Sequence, residues 1–377
     1  MTDRTAHRSW CCLVLAPLVA ALAFTGCGAR TGLAEPFAAD LSASDAGATR
    51  DSGRTGLDDA HLTDVIASDA GSSADTGGGR LVGRVVLFGG SSAGSTTLDD
   101  TWVWDGASWS QRTPQTRPSA RFFASAGQQS LLGVLFGGVV TFDGGGNDAA
   151  DTWAWNGITW SAVGTVTAPS ARDQTATAAV GATLMVFGGY RYGQVFGDTW
   201  IWNGSAWSQW ASSGPAPSYR WGSAAASLGA NAVLFGGRDG ATNYNVADTW
   251  TFDGTAWSQS PASGPGARLG HAMATLGSSI VLFGGFVNGD NGSWAVGDTW
   301  IWNGASWTES KVPGPSARSG HMMATLGSNV ILFGGVGVNG TLFDDTWLWN
   351  GSTWTQAAGS GPPARSNAAM TAYLEAE

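Results

Sequence analysis

Two histidines are the first candidates for chemistry in this chain. His271 and His321 lie 50 residues apart in similar local sequences, Leu-Gly-His-Ala-Met and Ser-Gly-His-Met-Met. Imidazole nitrogens bind transition metals, but a closed site needs a third or fourth donor. The residues at the matching positions elsewhere in the chain are Ala124, Thr175, Ser223 and Ala368. We therefore predict a structural role for both histidines and no bound metal.

Two acidic loops are candidates for weak calcium binding. Residues 143–148 and 288–291 are rich in Asp, Asn and Gly, and carboxylate and amide oxygens are the ligands that Ca²⁺ prefers. Neither loop has the EF-hand spacing, so we predict no cofactor. Whether calcium binds these loops weakly stays open.

A third group of residues points to binding. Large aromatic side chains that do not fit the repeated pattern described below concentrate between residues 190 and 294, with arginine, amide and carboxylate side chains among them. Such a mixture suits a protein or saccharide ligand, although these rings could instead only pack loops together. The predicted partner-binding residues are Tyr190, Arg191, Tyr192, Trp210, Trp221, Arg238, Asp239, Tyr244 and Trp294.

The elements that must position these residues come from an internal repeat. Six Gly-Gly pairs follow one another at spacings of 48, 51, 48, 48 and 50 residues, and a period of this size indicates blades or solenoid turns. The pairs begin at Gly89, Gly137, Gly188, Gly236, Gly284 and Gly334.

Each repeat predicts four short antiparallel strands, A to D. Strand A is small and apolar, as in Ser319 to Leu326, and strand B ends in Phe-Gly-Gly. Strand C is Asp-Thr-Trp-x-Trp, with both rings on one face, and strand D is centred on another tryptophan. Asn-Gly or Asp-Gly joins C to D in all six copies, and this dipeptide is a strong hairpin signature.

These motifs resemble the Kelch repeat, with its diglycine after strand B and its aromatic residue at the end of strand C. The resemblance covers residues 80–377 and implies an all-β, six-bladed propeller with four antiparallel strands per blade. The chain has one departure, a tryptophan in five copies where Kelch sequences usually carry tyrosine, and Phe252 stands at this position in the fourth copy. A strand A without a following strand B occurs at 364–373. We expect this C-terminal strand to close the ring by joining the N-terminal strands, which removes exposed sheet edges.

The repeated charges and tryptophans are predicted to be structural. Six Arg and six Asp recur once per copy, so structural pairing or capping between strands is expected. Seventeen tryptophans occupy strand C and D positions and should fill the spaces between blades. If strand A runs up, the B–C loops, the D–A loops and the start of strand A share one face. This face carries the predicted partner-binding residues.

Enzyme activity is not predicted. A copper radical oxidase needs a Tyr–Cys crosslink, and all three cysteines lie within residues 1–27. The only glutamates after residue 78 are Glu309, Glu375 and Glu377, so a glycosidase with paired glutamates is excluded. An epimerase- or glycosidase-like enzyme that acts on a sugar or sugar acid stays as the alternative, with Arg191, Arg238 and Asp239 in its pocket.

The N-terminal residues predict export. Arg4 and Arg8 precede the apolar run 13–24, which is too short for a mature membrane span. Phe24-Thr-Gly-Cys27 resembles a bacterial lipoprotein cleavage box, with lipidation at Cys27 and ordinary cleavage after Ala23 as the alternative. We expect a signal peptide at 1–27, a disordered tether at 28–78 and the propeller at 79–377. We expect the protein in the cell envelope, as an outer-membrane lipoprotein that faces either the periplasm or the cell surface.

Composition limits the class of partner. The net charge is −10, and only one lysine is present after residue 78, so nucleic acid is not an expected partner. The 43% hydrophobic content fits a globular core. We therefore predict a monomeric, membrane-anchored extracytoplasmic module that binds a protein or glycan through the B–C and D–A loops of blades 3 to 5.

Overall fold

The computed structural model describes residues 80–142, 145–211, 214–289 and 292–377. They lie within one compact unit, Asp59–Glu377. The predicted signal peptide and tether, residues 1–78, lie outside the described residues, as do Asp143, Asp290 and Asn291 of the two acidic loops. No helix in the described part of the chain has the length and apolar character to cross a membrane.

Six four-stranded antiparallel sheets form the unit, and they are numbered here as blades 1 to 6. Blade 1 combines the two ends of the described chain, and blades 2 and 3 follow in sequence. Their strands are β1 (Leu81–Phe88), β2 (Thr101–Trp104), β3 (Trp109–Arg112) and β34 (Ala369–Ala376) in blade 1; β5 (Ser125–Gln129), β6 (Leu132–Phe136), β9 (Thr152–Trp155) and β10 (Trp160–Val163) in blade 2; and β11 (Ala176–Val180), β12 (Thr183–Phe187), β15 (Thr199–Trp202) and β16 (Trp207–Trp210) in blade 3.

The last three blades repeat this arrangement without a strand from elsewhere in the chain. Their strands are β18 (Ala224–Leu228), β19 (Asn231–Phe235), β21 (Thr249–Phe252) and β22 (Trp257–Ser260) in blade 4; β24 (Ala272–Leu276), β25 (Ser279–Phe283), β28 (Thr299–Trp302) and β29 (Trp307–Ser310) in blade 5; and β30 (Met322–Leu326), β31 (Asn329–Phe333), β32 (Thr346–Trp349) and β33 (Trp354–Gln356) in blade 6.

The C-terminal strand completes the first blade. β34 pairs with β1 along eight residues, from Leu81 opposite Ala376 to Phe88 opposite Ala369. The six inner strands also contact one another in a cycle, in the order β34, β5, β11, β18, β24, β30 and back to β34. The structure therefore confirms the prediction that the C-terminal strand pairs with the N-terminal strands.

Short strands outside the blades pair the B–C loops with the segments that precede the inner strands. They are β4 (Arg121–Phe122), β7 (Val139–Phe142), β8 (Gly145–Asp148), β13 (Tyr190–Arg191), β14 (Gln194–Val195), β17 (Arg220–Trp221), β20 (Arg238–Asp239), β23 (Arg268–Leu269), β26 (Phe286–Gly289) and β27 (Gly292–Ala295). One 3-10 turn, Ala93–Ser95, is present. We call the side formed by these loops the loop face.

The predicted start of strand A is wrong by about three residues. In blade 6 the strand begins at Met322 instead of Ser319, because Gly320 has a left-handed φ of 59° that interrupts a pleated strand. For the same reason Trp221 does not lie in an inner strand. It belongs to the short strand β17, which pairs with β20.

Tryptophans fill the spaces between blades, as predicted. The strand D ring of each blade packs against a phenylalanine or another tryptophan, with centroids 5.0–5.5 Å apart. Each of these rings also donates its indole N–H to a threonine hydroxyl of the preceding blade at 2.9–3.0 Å. The pairs are Trp109–Thr346, Trp160–Thr101, Trp207–Thr152, Trp257–Thr199, Trp307–Thr249 and Trp354–Thr299.

Candidate functional site: the loop face and the axial cavity

The diglycines direct the chain out of strand B and onto the loop face. Gly188, after β12, has φ 68°, and a Cβ atom there would lie 2.5 Å from the carbonyl oxygen of Arg220 in the next blade. Glycine is therefore required by both backbone conformation and space. Tyr190, which follows the diglycine, can then pair with Asp173, which precedes the inner strand of its own blade.

Repeated Arg–Asp pairs hold the loop face, as expected from their matched numbers. Each arginine is buried and binds both carboxylate oxygens of its aspartate. Burial alone would raise the pKa of Asp198, but hydrogen bonds and charge from Arg172 outweigh it and lower this pKa. The pairs are Arg121–Asp151, Arg172–Asp198, Arg220–Asp248, Arg268–Asp298, Arg318–Asp345 and Arg365–Asp100.

A ring of six backbone hydrogen bonds surrounds the axis. One residue of each blade has φ between 52° and 65°, donates its N–H to the preceding blade and accepts from the following one, at 2.8–3.1 Å. The donor order is Phe123, Asn367, Gly320, Gly270, Gly222 and Gln174, which donates back to Phe123. This closed ring joins all six blades, and it was not predicted from the sequence.

The axial cavity beneath this ring holds the two histidines. A cavity of about 180 Å³ is lined by small residues, methionines, His271 and His321. Burial, followed by the charge of Arg268, lowers the pKa of His271 to about 3, and burial likewise lowers that of His321. Both rings are therefore neutral at pH 7 and pack edge-on against Phe235 and Phe283, at 5.6 and 5.4 Å.

The described residues contain no group of three or more His, Cys, Asp or Glu side chains placed to hold a metal ion. The structural role of the two histidines stays a prediction.

An aromatic cluster links blades 3 and 4 on the loop face. The rings of Tyr190 and Trp221 lie 5.8 Å apart, and the guanidinium carbon of Arg238 lies 5.8 Å from the Trp221 ring. Arg238 also donates from Nε to Oδ1 of Asn243 at 2.7 Å. These contacts bring three of the predicted partner-binding residues together.

The most exposed aromatic side chains lie on the same set of loops. Tyr244 is 70% exposed, Tyr192 57%, Tyr219 45% and Trp294 44%. Arg191 places its guanidinium carbon 5.8 Å from the Tyr192 ring. Blades 3, 4 and 5 thus each present an exposed aromatic ring on a B–C loop, and the loops of blades 3 and 4 also carry the partly exposed Arg191 and Arg238.

Two predicted residues do not join this surface. Trp210 is half-buried, packs at 5.3 Å against Phe252 of blade 4 and donates to the carbonyl oxygen of Thr255 in a C–D turn at 3.1 Å. Asp239 is buried and accepts from the backbone N–H groups of Ala241 and Thr242. Its carboxylate therefore shapes the B–C loop of blade 4.

A carboxyl pair that the sequence did not reveal lies between blades 2 and 3. The side chains of Asp148, at the end of β8, and Asp173, before β11, lie close enough to shift each other's pKa. Burial, then the charge of Asp148, raises the pKa of Asp173 to about 8. Burial also raises the pKa of Asp148, although Arg191 opposes this.

The repeat geometry agrees with a family comparison. A model described as the KLHDC2/KLHL20/DRC7 Kelch-repeats domain matches residues 134–312 and 254–376, which together cover more than half of the chain. The protein belongs to the Kelch-repeat family. None of the curated proteins matches the chain. A Kelch domain is generally a protein-interaction module, so the loop face of this Kelch propeller is its candidate interaction surface.

Proposed function

We propose that this Kelch protein is an exported, membrane-anchored module that binds a protein partner through the loop face of blades 3 to 5. The observation that carries the proposal is the row of exposed aromatic rings on three consecutive blades, formed by Tyr192, Tyr244 and Trp294 with Tyr219 beside them. Exposed aromatic groups with adjacent cations are typical of interaction surfaces. A glycan that stacks on these rings is the alternative ligand.

The axial cavity supports binding over the alternative enzyme function. An enzyme that acts on a sugar or sugar acid needs charged groups that converge in a pocket. Among the described residues, the cavity is lined by Ala, Gly, Ser, Thr, Met, Phe, Gln, Asn and two neutral histidines. No carboxylate, lysine or arginine belongs to this lining.

Site-specific photo-crosslinking on the full chain tests the surface. A photoreactive phenylalanine analogue replaces Tyr244 or Trp294, and the matched control replaces Ile158, which is 77% exposed in a C–D turn of blade 2. We expect one discrete protein adduct from positions 244 and 294 that is absent from position 158. A glycan adduct at the same positions would select the alternative ligand. Equal labelling from all three positions would overturn the proposed surface.

The membrane anchor is a separate part of the proposal. It rests on the lipoprotein-type sequence that ends at Cys27, and it places the propeller at the end of a tether in the cell envelope. We expect Cys27→Ala to release the protein into the soluble fraction, whereas Cys11→Ala should stay with the membrane. Unchanged fractionation of Cys27→Ala would overturn the anchor and leave the loop-face proposal intact.

A further inference from the structure

The axial cavity concentrates buried polar atoms that have no hydrogen-bond partner. Among the described residues, eleven buried side-chain nitrogen and oxygen atoms lack a partner, and six of them belong to residues that line this cavity. Buried polar groups of native proteins are almost always satisfied, so an occupant of the cavity, water or a ligand, must supply the missing partners. The six atoms are Oγ1 of Thr177, Oγ of Ser223, and Nδ1 and Nε2 of both His271 and His321.

The two histidines are the largest part of this unsatisfied group. His271 is 6% exposed and His321 is 5% exposed. Phe235 and Phe283 each bring a backbone carbonyl oxygen near one of the two rings, but it forms no hydrogen bond of normal geometry with the ring. A neutral imidazole has a lone pair on one of its nitrogens. Each ring can therefore bind a metal ion through that nitrogen.

Methionines add further metal donors to the same cavity. Four of the six methionines of the chain line it. The expectation of no bound metal rested on the residues at the histidine position of each blade, but blades 5, 6 and 1 all carry a methionine two residues later. Each of these three methionines pairs with the leucine before the Phe-Gly-Gly of strand B, so the three lie at one level along the axis. The pairs are Met273–Leu282, Met323–Leu332 and Met370–Leu87.

The inner strands bring these side chains to one side of the cavity. β24, β30 and β34 are consecutive around the axis, and residues two apart in a strand share a face. His271 packs against Phe235 of blade 4, and Met273 belongs to the same apolar cluster as Phe235. Two imidazoles and three thioethers therefore occupy adjacent layers of one wall. The matching residues of blade 6 and its neighbour are His321, Met323 and Phe283.

The chemistry of this wall selects the type of ion. Thioether sulfur selects Cu(I), and imidazole also suits copper, whereas Mg²⁺ and Ca²⁺ require oxygen ligands. Among the described residues, no carboxylate, lysine or arginine lines the cavity. Burial of charge without a counter-charge is costly, so a monovalent ion is favoured over a divalent one. Water could satisfy the imidazoles and hydroxyls but would leave the three aligned thioethers without a role.

We propose that the axial cavity binds one soft monovalent metal ion, Cu(I), with ligands drawn from His271, His321, Met273, Met323 and Met370. The last three are called the cavity methionines below. A bound ion joins blades 5, 6 and 1, where the C-terminal strand closes the ring, and so stabilises the folded protein. This site goes beyond the proposed loop-face function and does not depend on it.

Methyl NMR on the full chain, isotope-labelled at methionine, tests the site. The protein is titrated anaerobically with Cu(I) and with its redox-stable analogue Ag(I). All samples carry Cys11→Ser, Cys12→Ser and Cys27→Ser, because thiols also bind both ions. We expect the signals of the cavity methionines to shift until one ion per chain is bound, while Met185, in the core between blades 3 and 4, stays unshifted. Unshifted cavity methionines in excess Ag(I) would overturn the proposal and leave water as the occupant.

Competition with a chromogenic Cu(I) chelator measures the affinity of variants in the same background. His271→Ala introduces the residue found at this position in blades 1 and 2, and Met323→Leu keeps the apolar volume. Each should weaken Cu(I) binding by about tenfold or more, at least the loss caused by removal of a residue that only orients a ligand. The control Met185→Leu makes the same change away from the cavity and should bind normally.

Two results of this competition would contradict the site. Cu(I) affinity that neither His271→Ala nor Met323→Leu lowers would show that the ion binds elsewhere. Zn²⁺ that displaces Cu(I) and gives the same methyl shifts would overturn the assignment of a soft monovalent ion. Neither measurement requires a protein or glycan ligand, so failure of the proposed function would show separately.

Discussion

The indole N–H of Trp109 in blade 1 donates to the hydroxyl oxygen of Thr346 in blade 6 at 2.9 Å. The two bonded residues are 237 positions apart in the chain. Five equivalent bonds join the other pairs of neighbouring blades. The tryptophans of strand D thus contribute a directed hydrogen bond as well as apolar area. Thr346→Val keeps the side-chain shape but leaves a buried N–H without its partner.

We expect Thr346→Val to lower the free energy of unfolding by about 1–3 kcal/mol, the usual cost of an unsatisfied buried donor. Thr346→Ser retains the hydroxyl and should lose less. Urea denaturation of both variants measures the difference. Equal stability of Thr346→Val and the wild type would show that the hydroxyl contributes nothing to the contact between blades.

Substitution of a repeated, buried arginine should cost much more unfolding free energy than substitution of a surface arginine. Arg318 is fully buried and binds Asp345 through two nitrogens and Gly334 through its carbonyl oxygen. Arg318→Met strands a carboxylate and should cost about 3–5 kcal/mol of unfolding free energy. Arg117→Met removes an exposed ion pair with Asp99 and should cost less than about 1 kcal/mol. Similar losses from both variants would contradict the structural role of the repeat pair.

Replacement by alanine should destabilise the protein to different extents at two glycines with a left-handed backbone conformation, one in the axial ring and one outside it. A Cβ atom at Gly320 would lie 2.3 Å from Oδ1 of Asn367, whereas one at Gly327 would meet nothing within 4 Å, and their φ angles are 59° and 57°. Gly327→Ala should therefore cost about 1 kcal/mol from backbone strain alone. Gly320→Ala adds a clash with the Asn367 side chain and should lower the melting temperature further. Equal melting temperatures for the two variants would show that the Asn367 side chain moves aside without cost.

The buried histidines predict acid sensitivity. Burial keeps His271 neutral in the folded state, with a pKa of about 3, while the unfolded chain binds a proton near pH 6.5. Because the unfolded state binds more protons, stability falls as pH drops below about 6.5. At pH 5 the proton that His271 binds in the unfolded chain should lower the free energy of unfolding by about 2 kcal/mol.

His271→Ala is the test, since alanine occupies the same position in two other blades. The stability difference between wild type and variant, measured by urea denaturation, should change by this amount between pH 7 and pH 5. Asp173 has a raised pKa and contributes the opposite slope in both proteins, so the difference isolates His271. A difference that stays constant with pH would show that the histidine is solvated in the folded state.

The repeat, the four strands per blade and the C–D turns could be predicted because they depend on local sequence. In blade 5, for example, Oδ1 of Asn303 accepts from the N–H groups of Ala305 and Ser306 at 2.9 and 2.8 Å, as an Asn-Gly turn requires. The Arg–Asp pairs followed from equal numbers in each copy. These features need no knowledge of which blades touch.

The axial ring and the carboxyl pair could not be predicted, because each depends on contacts between blades. Phe123 and Gln174 adopt φ of 57° and 52°, which neither residue type suggests, since the ring imposes it. Asp148 and Asp173 meet only because two loops of different blades converge. Trp210 is a predicted partner-binding residue, but packing against Phe252 directs its ring between blades.

The central claim is that the C-terminal strand closes the ring of six blades, and strand complementation tests it most directly. Deletion of residues 365–377 removes β34, which pairs with β1 along its whole length, together with Arg365, which binds Asp100. We predict a much lower melting temperature for the truncated chain. Addition of a synthetic peptide covering 365–377 should restore it, and the same peptide with Thr371→Pro should not. A truncated chain with the melting temperature of the full-length protein would contradict the closed ring.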